Sequence, residues 1–331
     1  MGRAEVSSPL LSVEGLRVRL PTTVGLVTVV DGIDFEVERG QVFGLAGESG
    51  SGKTISVLAL LGLLPDGAEV EGRAMFEGKD LLMLGHRSLL DIRGREIGMV
   101  FQDPQTSLHP MMTIERQLTE HVRYHLGLNH AQARARATEQ LEEVRIPDPA
   151  GALGAYPHQF SGGMRQRIAI AIALACRPRL LIADEPTTAL DVTVQAGILR
   201  LLDSLRRQSG LSVIMITHDL GVMSSIADWL TVMYAGRVVE SGPTPEVLSR
   251  PRHPYTAALL AALPHPEAVE DTPLISISGT PPSPQARPGG CAFHPRCSYA
   301  IASCKTDVPD LLEVGDRRRL ACPVDPLMVP V

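Results

Sequence analysis

Gly47-Glu48-Ser49-Gly50-Ser51-Gly52-Lys53-Thr54 fits the pattern G-x-x-x-x-G-K-[ST] and follows the apolar run Val42-Phe43-Gly44-Leu45-Ala46. The stretch reads as a strand, a glycine-rich turn and a helix beginning near Gly52, which together form a cradle for phosphates. In such a cradle, backbone N–H groups and the helix N-terminus face the anion. Lys53 reaches the β- and γ-phosphates, and Thr54 offers its hydroxyl to Mg²⁺. The competing reading is a glycine turn with a purely structural role. The flanking strand and helix, and the carboxylates that follow downstream, argue against it.

Outward from that loop, the chain runs to 331 residues, enough for one large domain or two ordinary ones. It is 44% hydrophobic and 21% charged, the balance of a globular protein with a sizeable core. Its formal charge is 31 − 37 = −6, which argues against a surface that wraps nucleic acid. Apolar runs such as Val57 to Leu64 and Ile168 to Cys176 are too short to cross a bilayer. No basic segment followed by an apolar one marks a secretory signal, so a cytosolic location is expected.

Leu11 to Leu20, Leu26 to Val30 and Ile33 to Val37 read as short strands, broken by Pro21 and glycines. Ile97 to Phe101, Leu180 to Ala183 and Val213 to Thr217 are further strand candidates, the last two of the kind found in buried parallel sheets. Residues 112–145 alternate apolar positions with Arg- and Glu-rich faces and read as a helical insert. Ile198, Leu201, Leu202 and Leu205 follow helical spacing, and Gly210 is placed to end that helix. Strands alternating with helices imply an α/β core with parallel strands. After about residue 242, proline becomes frequent and four of the five cysteines gather, so a small appended module is expected there.

Leu180-Leu181-Ile182-Ala183-Asp184-Glu185 is an apolar strand ending in two carboxylates. Asp184 suits Mg²⁺, directly or through water, and Glu185 lies where it could polarise a water for in-line attack. Phe160-Ser161-Gly162-Gly163-Met164 precedes a helical pattern, with Ser161 a natural N-cap and two glycines leaving the helix N-terminus bare. Taken singly, an ordinary capped helix, a satisfied histidine at His218 and a surface amide at Gln102 are the simpler readings.

The ordered set reverses those odds. The phosphate loop (47–54), Gln102 after a strand, Ser161-Gly162-Gly163, Asp184-Glu185, Ala189-Leu190-Asp191 and His218 together resemble an ATP-binding-cassette (ABC) ATPase over roughly residues 10–242. The resemblance implies an α/β P-loop NTPase fold: a mixed sheet with a RecA-like core, an antiparallel β subdomain and a helical subdomain at about 105–170. It implies a cassette over 10–245 and a small irregular cysteine-containing module over 246–331. It also implies a head-to-tail dimer enclosing two ATPs, with Thr54, Gln102 and Asp184 organising Mg²⁺. Glu185 becomes the general base, and His218 the contact to the γ-phosphate. Ser161, Gly162 and Gly163 serve the partner's nucleotide, and Asp191 links the two sites. Family members commonly stack an aromatic ring on adenine. Here Leu20 occupies that place and offers an apolar contact without the stacking energy, about 1 kcal/mol.

Phe101-Gln102-Asp103-Pro104-Gln105-Thr106-Ser107-Leu108-His109-Pro110 and Arg252-His253-Pro254-Tyr255-Thr256 resemble segments of peptide-importer ATPases. So does the spacing Cys291-x5-Cys297-x6-Cys304-x17-Cys322. That branch implies import of peptides, or of a related ligand such as a nickel chelate. Its implied partners are a second ATPase subunit, two membrane permease subunits and, indirectly, an extracytoplasmic binding protein. It places the chain peripherally at the cytoplasmic face of the membrane. A soluble cassette ATPase without a permease is the alternative. On residue chemistry the four thiols suit zinc, an iron–sulfur cluster or no metal, and zinc's usual C-x2-4-C pair is absent. The resemblance favours [4Fe–4S]. Ser298 stands where relatives usually carry proline, and His294 is a lesser candidate ligand. Cys176 reads as a buried small hydrophobe.

Overall fold

A computed structural model describes residues 8–103, 107–188, 190–263, 277–315 and 317–324. Pro104, Gln105, Thr106 and Ala189, which belong to motifs named above, lie outside the described residues, as does part of the proline-rich tail. The chain forms two compact units, Met1–Met83 with Thr217–Val331, and Leu84–Ile216.

In the first unit, Leu11–Thr22 is the centre of an antiparallel sheet, paired with Gly25–Val37 on one side and Glu69–Phe76 on the other. Leu11, Val13, Leu16 and Val18 are all buried, so this strand turns an apolar face to the core. The strands run longer than the sequence suggests. Pro21 does not break its strand, because the second neighbour ends at the Arg19–Glu69 pair and leaves one edge of the backbone unpaired there. Gly32 is absorbed by register shifts between Val13 and Arg17.

Val42–Ala46, buried throughout, pairs in parallel with Trp229–Tyr234. Its Phe43 ring stacks on that of Phe35 with centroids 5.2 Å apart. Trp229–Tyr234 pairs antiparallel with Arg237–Pro243, which receives the short strand Arg319–Leu320 from the chain's far end. Two things hold that end in place. Glu240, wholly buried, accepts hydrogen bonds from the backbone N–H groups of Arg252 and His253 at 2.9 and 3.0 Å. It also pairs with Arg318, whose guanidinium donates to the Arg250 carbonyl at 2.8 Å and the Glu246 carbonyl at 3.2 Å. The second is an aromatic group of Tyr234, Tyr255 and Phe293 with centroids 4.6 to 5.3 Å apart, each pair contributing about 1 kcal/mol beyond area burial. Around the cysteines the backbone is built from short 3₁₀ turns, His294–Arg296 and Ala302–Lys305 among them.

In the second unit, Ile97–Val100, Leu180–Asp184 and Ser212–Ile216 run parallel. The polar-faced stretch forms helices Ile114–Leu126 and His130–Glu143. Thr113 caps the first, and Asn129 with Gln132 forms a capping box on the second. Val192–Ser209 buries Ile198, Leu201, Leu202 and Leu205 and ends at Gly210 in the left-handed conformation, as the spacing predicts. Burial lifts the Cys176 thiol to about 11, in keeping with a packing role. No described helix is long and apolar enough to cross a membrane.

Candidate nucleotide site

The phosphate loop of the first unit joins Val42–Ala46 to the helix Lys53–Leu60. Gly52, with φ of 102°, occupies the N-cap and supplies no side-chain acceptor, so the helix opens with its N–H groups uncapped by a side chain. Gly47 is required twice over. Its φ is 144°, and a Cβ there would lie 2.2 Å from the Met233 carbonyl oxygen. Lys53 is buried and donates from Nζ to the carbonyls of Gly47 (2.7 Å) and Glu48 (2.9 Å) and to Ser51 Oγ (3.3 Å). The ammonium is thereby held inside the loop it serves. Ser51 in turn donates its N–H to the Glu48 carbonyl and accepts from Gly236.

Glu48 is gripped from the distant end of the chain. Its carboxylate takes a two-pronged pair from Arg296, Nη1 to Oε2 at 2.7 Å and Nη2 to Oε1 at 3.0 Å. Its backbone N–H donates to Tyr255 Oη at 2.8 Å. Ser49 and Gly50 lie at the exposed crest of the loop. Thr54 is half-buried in the first turn of the helix, and Leu20 is half-buried near the end of Leu11–Thr22, opposite Val27. His218 directly follows Thr217 and is exposed, and Asp219 beside it caps the next helix.

In the second unit, Asp184 is buried at the end of its strand and Glu185 follows with φ of 45°. Left-handed backbone in a non-glycine residue costs about 1–3 kcal/mol and is kept where the surroundings impose it. Here Glu185 N–H donates to the Ile216 carbonyl at 2.9 Å. Gln102 Nε2 at 2.9 Å and Thr188 Oγ1 at 2.8 Å both donate to Glu185 Oε2. The structure therefore joins Gln102 to Glu185 and adds Thr188, which sequence reasoning missed. Its place three residues after Glu185 in the following turn is the only linear hint.

Ser161 caps the helix Gly162–Leu174 and accepts from Met164 N–H at 3.4 Å. Asp191 caps Val192–Ser209 and accepts from Val194 N–H at 2.9 Å. A Cβ on Gly163 would lie 2.5 Å from Val194 Cγ1, so Gly163 also lets the two helix starts pack together.

The four clustered cysteines are close enough for their charges to interact: Cys291, Cys297 and Cys304 all act on Cys322. Burial raises the thiols of Cys291 and Cys297, and pushes that of Cys322 up to about 12. Among the described residues, however, no three His, Cys, Asp or Glu side chains converge closely enough to hold a single metal ion. His294 directs Nδ1 to the Cys291 carbonyl at 2.9 Å.

Comparison with known proteins agrees with this geometry. A family model described as ABC transporter matches residues 30–188, and one described as the C-terminal region of oligopeptide/dipeptide transporters matches 239–304. The chain belongs to the family of ABC transporter ATP-binding proteins. The oligopeptide transport ATP-binding protein OppD of Haemophilus influenzae is 49% identical over 298 residues, 90% of this chain and 92% of that protein. OppD of Salmonella typhimurium is 46% identical over 96% of this chain and 95% of that protein. The dipeptide transport ATP-binding protein DppD of Escherichia coli is 45% identical over 95% and 96% respectively. Among solved structures, cbiO1 from Clostridium perfringens, part of the ABC transporter complex cbiONQ, matches with a TM-score of 0.63. It is 28% identical over 73% of this chain and 92% of that chain. The dimeric bacterial ABC transporter cassette MJ0796 also gives 0.63, at 26% identity over 71% of this chain and 98% of that chain.

Proposed function

We propose that this chain hydrolyses ATP to power the import of di- or oligopeptides through a membrane permease. The observation that carries the peptide assignment is the match of residues 239–304 to the transporter C-terminal region, alongside relatives at 45–49% identity across nearly the whole chain. The domain division that goes with it is a cassette over 10–245, with its helical part at about 105–170, and a C-terminal module over 246–331.

In this reading the phosphate-loop amides and Lys53 hold the triphosphate, and the uncapped helix start favours its charge. Glu185 takes the proton of the attacking water, and Gln102 and Thr188 fix the orientation of its carboxylate. His218 contacts the γ-phosphate. Ser161, Gly162, Gly163 and Asp191 act on the nucleotide of a second ATPase subunit, arranged head to tail. A hydroxyl, an amide oxygen and a buried carboxylate from Thr54, Gln102 and Asp184 are the all-oxygen donor set that suits Mg²⁺. When bound, the ion neutralises phosphate charge. Two permease subunits would receive the motion at the cytoplasmic face, and an extracytoplasmic binding protein would choose the ligand. A nickel chelate is the second ligand class.

Cys291, Cys297, Cys304 and Cys322 would hold a [4Fe–4S] cluster. The support is the Cys291-x5-Cys297-x6-Cys304-x17-Cys322 spacing, which resembles that of peptide-importer ATPases. Burial raises the proton affinity of Cys291, Cys297 and Cys322, so loading must release protons from these thiols.

Expression beside the permease genes should give ATP-dependent peptide uptake into membrane vesicles, with the chain co-purifying with permease subunits from detergent. Brown protein that bleaches in Cys291→Ser should accompany anaerobic preparation. ATPase activity without permease association would favour the soluble alternative, and colourless anaerobic protein would remove the cluster.

A further inference from the structure

A carboxylate in the middle of an anion-binding loop poses an electrostatic problem. Glu48 stands second in that loop, and its charge opposes the triphosphate the loop is built to receive. The structure answers it with Arg296, whose side chain is only 4% exposed and lies 248 residues away in sequence. The planar fork meets both carboxylate oxygens, which a lysine could not do. The hydrogen bonds to Glu48 push the Arg296 pKa upward, so its charge is permanent.

Arg296 is itself fixed. Its Nε donates to the Ser278 carbonyl at 2.9 Å, and Nη1 also reaches Tyr234 Oη at 3.3 Å. Its backbone belongs to the turn that begins at Cys291: His294 N–H donates to the Cys291 carbonyl, Arg296 N–H to that of Phe293, and Cys297 N–H to that of His294. Tyr255, fully buried against Tyr234 and Phe293, holds the Glu48 backbone from the same side. From Glu48 the connection continues inward, because its carbonyl is one of the acceptors of Lys53 Nζ.

We propose that Arg296 is a positioning residue of the nucleotide site, neutralising and fixing Glu48 so that the loop accepts a triphosphate, which makes the cysteine-bearing module part of that site. The inference rests on the ATPase reading above. A purely structural brace would, when lost, weaken all nucleotides alike. A charge-neutralising one weakens them in order of their charge.

The test is binding of MgATP, MgADP and adenosine to the full chain, measured by calorimetry at low and high salt, with ATPase kinetics in parallel. Arg296→Met should weaken MgATP binding about tenfold, MgADP less and adenosine hardly at all, with added salt narrowing the gap. The loss should appear in KM more than in kcat. Arg296→Lys should recover part of the affinity, and the double variant Glu48→Gln/Arg296→Met should recover most of it, because the offending charge has gone. Wild-type affinity in Arg296→Met would overturn the inference, as would equal losses for all three ligands or a double variant no better than the single. If Arg296→Met proves poorly folded, the Glu48→Gln variant alone still decides: it should bind MgATP at least as tightly as the wild type. A wild-type chain that binds no MgATP would sink the ATPase reading instead.

Discussion

Replacing Glu185 with glutamine should leave MgATP binding intact and lower turnover by about a hundredfold to ten-thousandfold, the range a positioned general base supplies. The substitution suits the site because it changes so little else. Gln102 Nε2 and Thr188 Oγ1 both donate to Oε2 of Glu185, and an amide oxygen in the same place accepts both. The left-handed backbone at φ 45° and the hydrogen bond to the Ile216 carbonyl are unaffected by the side chain's charge. What disappears is the capacity to take a proton from water. With hydrolysis stopped and ATP still bound, a head-to-tail dimer should persist. Size-exclusion chromatography of Glu185→Gln with MgATP should show a dimer that the wild type loses as it turns over. Steady-state phosphate release settles the role: near-wild-type rates would take Glu185 out of it.

Much of the fold can be read in the sequence where the physical signal is contiguous. Val42–Ala46 and the loop after it declare a strand and an anion cradle within a dozen residues, and the buried strand Leu180–Asp184 is as plain. The helical stretch is legible because polar faces and capping residues, Thr113 and Asn129, lie next to the helices they start. Signals fail where partners lie far apart. Pro21 and Gly32 look like strand breaks until the pairing shows a missing neighbour at one and a register shift at the other. Thr188 carries no chemistry of its own until the turn brings it to Glu185. The grip of Arg296 and Tyr255 on Glu48 spans 248 and 207 residues, and no local pattern announces it. His-Pro-Tyr is recognisable as a family mark, but the structure supplies its reason. His253 Nδ1 accepts from Tyr255 N–H at 3.0 Å, which orients the tyrosine toward the phosphate loop. Burial holds His253 neutral, its pKa lowered to about 3, so that nitrogen stays an acceptor at ordinary pH.

The other large effect concerns stability. Glu240→Leu should cost about 3–5 kcal/mol, because it strands a buried guanidinium instead of merely deleting a contact. Arg318 is 5% exposed and Glu240 is inaccessible, so neither water nor salt can replace the lost partner. The carboxylate also receives the N–H groups of Arg252 and His253, which would be left without an acceptor at about 1–3 kcal/mol each. This predicts an asymmetry. The pair variant Glu240→Leu/Arg318→Met removes the stranded charge yet still leaves those two N–H groups, so it should recover only part of the loss. Glu240→Gln keeps an acceptor for one of them while turning an amide NH2 toward the other, and should fall between the wild type and Glu240→Leu. The chain's single tryptophan, Trp229, lies on the neighbouring strand and donates from its indole to Ser241 Oγ at 2.8 Å. Its fluorescence during urea denaturation therefore reports on this region directly. An unfolding free energy for Glu240→Leu within about 1 kcal/mol of the wild type would mean that the buried pair does not anchor the C-terminal strand. Full recovery in the pair variant would assign the whole cost to the charge and none to the backbone donors.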